Sequence, residues 1–194
     1  AAQIESVAVL PFINASGNSD AEYLSDGMTE TLINSLSQLP KLSVKARSSV
    51  FRYKGREVEP QQIADELSVE AVLNGRVAQH GDNLSLSLEL VDARNGNLIW
   101  GEQYNRKLTD LVSLQSEIAR DVSNKLRARL SGAEEKSVTK NYTQNTEAYQ
   151  LYLQGRFYWN KRTVEGHKKA SEYFQQAIEK DPNYALAYVG LADS

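Results

Sequence analysis

Four carboxylates, Asp20, Glu22, Asp26 and Glu30, fall in one short stretch of helical periodicity, and Asp26 and Glu30 share a face at i,i+4. Paired carboxylates can divide general acid and general base work. The same charges early in a helix also offset its macrodipole and keep its outer face wet. Downstream, Lys45, Arg47, Arg52, Lys54 and Arg56 form a basic run with Phe51 and Tyr53 interleaved. That mixture suits an anion, a nucleotide or an acidic partner, through charge and ring stacking. An overall charge of -3 and the lack of a G-x-x-x-x-G-K phosphate cradle speak against nucleic acid. His80 and His167 stand far apart and there is no cysteine, so no metal centre, thiol nucleophile or disulfide is expected, and no cofactor is implied. Ser48-Ser49 with His80 and Asp82 supplies the residue types of a hydrolase triad without any of its local signatures.

The elements that must carry these residues can be read from periodicity. Val7 to Phe12 is a short apolar run closed near Pro11, a buried strand. Asn14 to Asp20 is a loop with a helix cap at Ser19 or Asp20, and Leu24, Met28, Leu32, Leu36 and Leu39 then mark an amphipathic helix stopped by Pro40. Gly27, inside that helix, implies a close approach, with packing on a strand as its expected cause. Residues 42–46 alternate as a strand, and residues 60–67 form a short helix with Pro60 in its first turn. Residues 69–79, 84–90 and 98–104 read as three consecutive strands, joined by His80–Asn83 and by an Asn95-Gly96 turn. A long helix follows on Leu111, Leu114, Ile118, Val122, Leu126 and Leu130. The order β-α-β-α-β-β-β-α predicts an α+β (mixed α/β) domain over residues 1–131.

Residues 132–144 lack an apolar period and read as a linker. From 145 to 194 the texture becomes helical. Leu151, Gly155 and Tyr158, then Ala170, Phe174, Ala177 and Pro182, follow the ordering of a tetratricopeptide repeat, and Tyr188, Leu191 and Ala192 restart it. In that pattern Gly155 and Ala170 allow two helices to approach, and Tyr158 and Phe174 fill the space between them. Leu151 stands where the repeat carries Trp, and the turn near Thr163–Gly166 is about three residues longer than usual. One repeat and the opening of a second are legible, whereas roughly three are needed to bury a solenoid's faces. A piece of a longer protein is therefore expected. Its open end, around Tyr184, Leu186, Tyr188 and Leu191, is expected to expose apolar surface and to self-associate weakly.

The strings Val7-Ala8-Val9-Leu10-Pro11-Phe12, Tyr23-Leu24-Ser25-Asp26-Gly27-Met28-Thr29-Glu30, Val72-Leu73-Asn74-Gly75-Arg76-Val77 and Trp100-Gly101-Glu102-Gln103-Tyr104, in that order, resemble the TolB-like amino-terminal domain of multidomain bacterial proteins. The resemblance covers about residues 5–130. It implies a non-catalytic domain followed by tetratricopeptide repeats. It also implies an effector elsewhere in the parent: a serine/threonine kinase, a class III adenylate cyclase or a CadC-type winged-helix regulator. A membrane helix often precedes the domain in such parents, so an extracytoplasmic position is expected, with a cytoplasmic one as the alternative. The expected function is a protein-interaction or sensory module with a protein or peptide partner on the repeat surface. A small anionic-ligand receptor using Arg47, Arg52 and Lys54 is the alternative of another class.

Overall fold

The computed structural model describes residues 4–56, 58–127 and 130–194. Its strands are β1 (Ser6–Val9), β2 (Ile13–Asn14), β3 (Ser43–Val44), β4 (Ala71–His80), β5 (Asn83–Asp92) and β6 (Asn97–Lys107). They form one mixed sheet in the order β3-β1-β4-β5-β6, with β2 beside β4. The contacts of β1 with β3 and β4, and of β2 with β4, are parallel, whereas β4, β5 and β6 run as an antiparallel meander. Strict alternation decides the register of β5: Leu84, Leu86, Leu88 and Leu90 are buried while Ser87 and Glu89 face water. Gly81, at φ +58, makes the turn between β4 and β5.

The helices are α1 (Glu22–Leu36), α2 (Arg47–Val50), α3 (Pro60–Leu67), α4 (Leu111–Leu126), α5 (Gly132–Val138), α6 (Thr146–Trp159), α7 (Val164–Lys180) and α8 (Ala185–Ala192). Leu24, Met28, Leu32 and Leu36 of α1 join Leu114, Ile118 and Val122 of α4 and the apolar side of the meander in one core. Val72 points the other way from Ala71 and Leu73, and there it meets Ala64 of α3 in a small second core. Thus α3 covers the face opposite α1 and α4. Two short elements were not expected from periodicity: β2 and the helical turns over residues 47–53. Both are too short for a period to register.

Residues 132–144 do not form a bare linker. Ser131 caps α5 through the Glu134 N–H, and the Glu134 carboxylate accepts from the Ser131 N–H in return. Val138 is buried in the main core, so the segment is tied down at both ends. α4 ends at Leu126, one turn before the expected Leu130.

The tail then packs onto the sheet domain through α6 and α1. Gly27 makes this possible, and its partner is a helix rather than the expected strand. A β-carbon there would lie 2.8 Å from Leu153 Cδ2 and 3.1 Å from Leu153 Cβ, so α6 fills the vacant position. Tyr149 of α6 hydrogen-bonds the Thr31 hydroxyl at 2.9 Å. Within the tail, Phe174 of α7 is fully buried against Gly155 of α6 and Gly190 of α8; a β-carbon at either glycine would come within 2.7 Å of its ring. Tyr152 links this group to Tyr184, whose ring centroid lies 5.2 Å away. Tyr184 is 1% exposed, which corrects its assignment to an open apolar end; Tyr188 and Val189 are the large exposed apolar residues of α8, at 48% and 56%.

If Leu153 and position 27 share one space, Gly27→Leu and Leu153→Ala should couple. Gly27→Leu is expected to cost about 1–3 kcal/mol and Leu153→Ala about 2–5 kcal/mol. The double variant should lose clearly less than the sum, measured by urea unfolding. Additive losses would separate the two residues.

A pH dependence follows from the tyrosines. Burial raises Tyr104, Tyr149, Tyr152 and Tyr184 above the usual phenol range, Tyr152 to about 12. Their folded pKa values exceed the unfolded value of about 10, so stability is intact below pH ~10 and falls as pH rises above it. Urea midpoints on either side of pH 10, with tyrosinate absorbance followed in parallel, should show a steep loss on the alkaline side. Ionisation of every tyrosine at pH ~10 without loss of stability would contradict the burial.

Candidate functional site

At the carboxyl end of β1 the chain reverses its direction of travel across the sheet: α1 leads to β3 on one side, and α3 leads to β4 on the other. Such a point leaves a crevice beyond the strand ends. Here it is a cavity of about 650 Å³, lined by Phe12, Asn14, Lys54, Arg56, Asn74 and Arg76 among others. Its floor joins two of the sequence strings. The Phe12 ring lies over Gly75, where a β-carbon would come within 2.4 Å of it. The Phe12 N–H donates to Thr29 Oγ1 at 2.9 Å, which holds the strand end against α1.

The basic run lies across from the acidic group rather than facing solvent as one patch. Lys54 Nζ donates to both Asp26 oxygens at 2.6 and 2.8 Å and pairs with Glu22 at 2.6 Å. Burial opposes the charge on Lys54, but its hydrogen bonds to Asp26 and Glu22 outweigh that and hold the ammonium above the usual lysine range. Burial also raises the Asp26 carboxyl, and Lys54 offsets this only in part. Glu22 is opposed by burial too, yet Lys54 and Asn14 together keep it below the ordinary carboxylate range. Of the three groups, Asp26 is the one whose charged form burial disfavours on balance.

Glu30 forms the second tie. Arg47 Nε stands 3.0 Å from its carboxylate, without hydrogen-bond alignment, and the guanidinium lies 3.6 Å from the Phe51 ring centre. From α6, Arg156 contributes two contacts at 2.6 and 2.8 Å, and Asn160 Nδ2 donates at 3.2 Å. One carboxylate thus joins α1, α2 and the tail.

The five basic residues of the sequence patch are consequently divided. Arg47 and Lys54 are committed to Glu30 and to Asp26 and Glu22; Arg52 and Arg56 lie over the Tyr53 ring, and Lys45 is half-buried beside β1. Only Lys54 and Arg56 line the cavity. In the tail, Gly155, Ala170, Phe174 and Ala177 are buried at the α6–α7 contact, and Tyr158 stacks on Tyr173 at 5.5 Å. Leu151 is half-buried against the core, Pro182 is exposed just after α7, and Leu191 and Ala192 end α8, half-buried and exposed. Arg156 and Asn160 carried no local signal, because their partner Glu30 belongs to an element far away in sequence.

Neutralising Glu30 should leave two half-buried guanidiniums uncompensated. Exposed pairs are worth about 0–1 kcal/mol and buried ones cost about 3–5 kcal/mol to break, so Glu30→Gln is expected to lose roughly 2 kcal/mol by urea unfolding. An unchanged midpoint would remove Glu30 as a tie between body and tail.

Over 187 residues the chain is 33% identical to "Putative adenylate cyclase 3" of Rhizobium meliloti (strain 1021), covering 96% of this chain and 32% of that protein. The chain therefore spans about a third of that relative's length. Among solved structures, TolB from Acinetobacter baumannii overlaps 67% of this chain and 30% of its own at TM-score 0.48 and 11% identity. Lipoprotein GNA1162 from Neisseria meningitidis overlaps 63% of this chain and 99% of its own at TM-score 0.47 and 23% identity. The C-terminal domain of LpoB from Escherichia coli overlaps 55% and 86% at TM-score 0.43 and 18% identity. Residues 2–121 match the family model described as the HilA/YgeH-like transcriptional regulator, second domain, and the chain belongs to that family.

Proposed function

We propose that this chain is a non-catalytic interaction module of a larger bacterial signalling protein, whose output lies in another part of the parent. In this reading the sheet domain is a rigid base, and α6 to α8 are the opening of a tetratricopeptide array that receives a protein or peptide. The observation that carries it is the three-helix stack around Phe174: two glycines, one on each flanking helix, admit a single ring, and α8 repeats the relation of α6 to α7. Stacking of this kind extends helix pair by helix pair into a curved surface that holds extended or helical peptides. Membership of a transcriptional-regulator family and 33% identity over about a third of the length of a putative adenylate cyclase both support a parent with a separate effector. A cyclase or a DNA-binding regulator then becomes the favoured effector over a kinase. Among the described residues no helix is long and apolar enough to cross a membrane.

Peptides selected by display against residues 1–194 are expected to perturb amide resonances of α6, α7 and α8, and ATP is expected to remain unconverted by the same protein. Binders that perturb only the sheet domain would contradict the repeat reading. Cyclic nucleotide formed by residues 1–194 would contradict the non-catalytic one.

A further inference from the structure

A second cavity, of about 320 Å³, lies where the tail meets the sheet domain, and its volume is within the range of small-molecule sites. Its walls come from α1, α4, the segment after α5, and α6 and α8. Gln115 of α4 lines it and is 4% exposed, yet neither its Oε1 nor its Nε2 has a hydrogen-bond partner among the described residues. A buried carboxamide left unmatched in both directions is costly, and native proteins rarely keep one without a hydrogen-bond partner. Tyr149, Tyr152 and Tyr184 supply aromatic surface to the same cavity. Of these hydroxyls, only that of Tyr149 is engaged by a protein group among the described residues, Thr31.

The lining chemistry restricts the ligand. Among the described residues no carboxylate lines the cavity, so the usual recognition of a cation is missing there, and Lys140 is the only charged one. Lys140 itself is exposed and lies 4.6 Å from the Tyr142 ring centre. A carboxamide offers an adjacent donor and acceptor, and its ideal complement is the matching acceptor–donor edge of another amide. Tyrosine rings favour a flat partner. The terminal torsion of glutamine is soft, so turning the amide toward an occupant costs little.

We propose that this junction cavity binds a small, neutral, planar molecule with an amide-type edge, a nucleobase or aromatic carboxamide, read by Gln115. The site depends on the docked tail, since Tyr149, Tyr152 and Tyr184 form its walls, and it is independent of any peptide bound by the repeat surface. Occupancy would hold α6 and α8 against α1 and α4, which makes the ligand a clamp on the body–tail junction.

The test titrates nicotinamide, uracil and adenosine separately into residues 1–194 at up to millimolar concentration, followed by ligand-observed NMR and thermal shift. At least one probe is expected to bind and to raise the melting temperature. Gln115→Leu should weaken that probe about tenfold, the worth of two neutral hydrogen bonds, without lowering the ligand-free melting temperature. Tyr184→Phe, which keeps the ring and removes only the hydroxyl, should weaken it by a smaller factor while preserving the fold. Binding unaffected by Gln115→Leu overturns the proposal, and so does the absence of binding by all three probes. A Gln115→Leu protein that melts earlier and binds none of them would assign the amide to a buried water alone, and would overturn the proposal equally.

Discussion

Leu153 of α6 occupies the space that a side chain at position 27 would need, and the placement of the whole tail depends on that contact. Glycine in a helix interior costs about 1 kcal/mol relative to alanine. Here the cost is offset by bringing α6 close enough to α1 for Tyr149 to reach Thr31 and for Arg156 and Asn160 to reach Glu30. Once α6 is set, Gly155 sets α7 through Phe174, and the same ring sets α8 through Gly190. Missing side chains thus position successive helices, from the sheet to the end of the tail. The body and the tail are consequently one continuous core rather than two units on a string.

How much of this could be read from the sequence depends on how local each cause is. The meander was legible because Leu84, Leu86, Leu88 and Leu90 alternate strictly with polar residues, and burial of one face leaves a single register. Helices α1, α3 and α4 were legible from their apolar period. Gly27 signalled a close approach, but its partner stands 126 residues later, and nothing local distinguishes a strand from a helix as that partner. The basic run looked like an anion site for the same reason: the carboxylates that neutralise Arg47 and Lys54 belong to α1, and only the fold brings the two together. In contrast, α5 carried a readable sign. Ser131 and Glu134 have the spacing of a capping box, a local sign that the linker reading of residues 132–144 did not use.

The acidic stretch of α1 has one physical role in two places. Asp26 and Glu22 hold Lys54 at the rim of the crevice beyond β1, and Glu30 holds Arg47 and Arg156 at the edge of the tail. These pairs are half-buried, so each depends on its exact partner more than a surface pair would. A single helix thereby connects the crevice, α2 and the tail. A ligand or partner that moved one of these elements would do work against the others.

The central claim is that body and tail form one cooperative structure. Native-state hydrogen exchange over a series of low denaturant concentrations tests it directly, because it gives an opening free energy for each amide. The account predicts that the most protected amides of α6 merge with those of α1 and β5 into one global opening, with the same denaturant dependence. If α6 to α8 opened at a markedly lower free energy while α1 and β5 stayed protected, the tail would be an independent appendage and the account would be wrong.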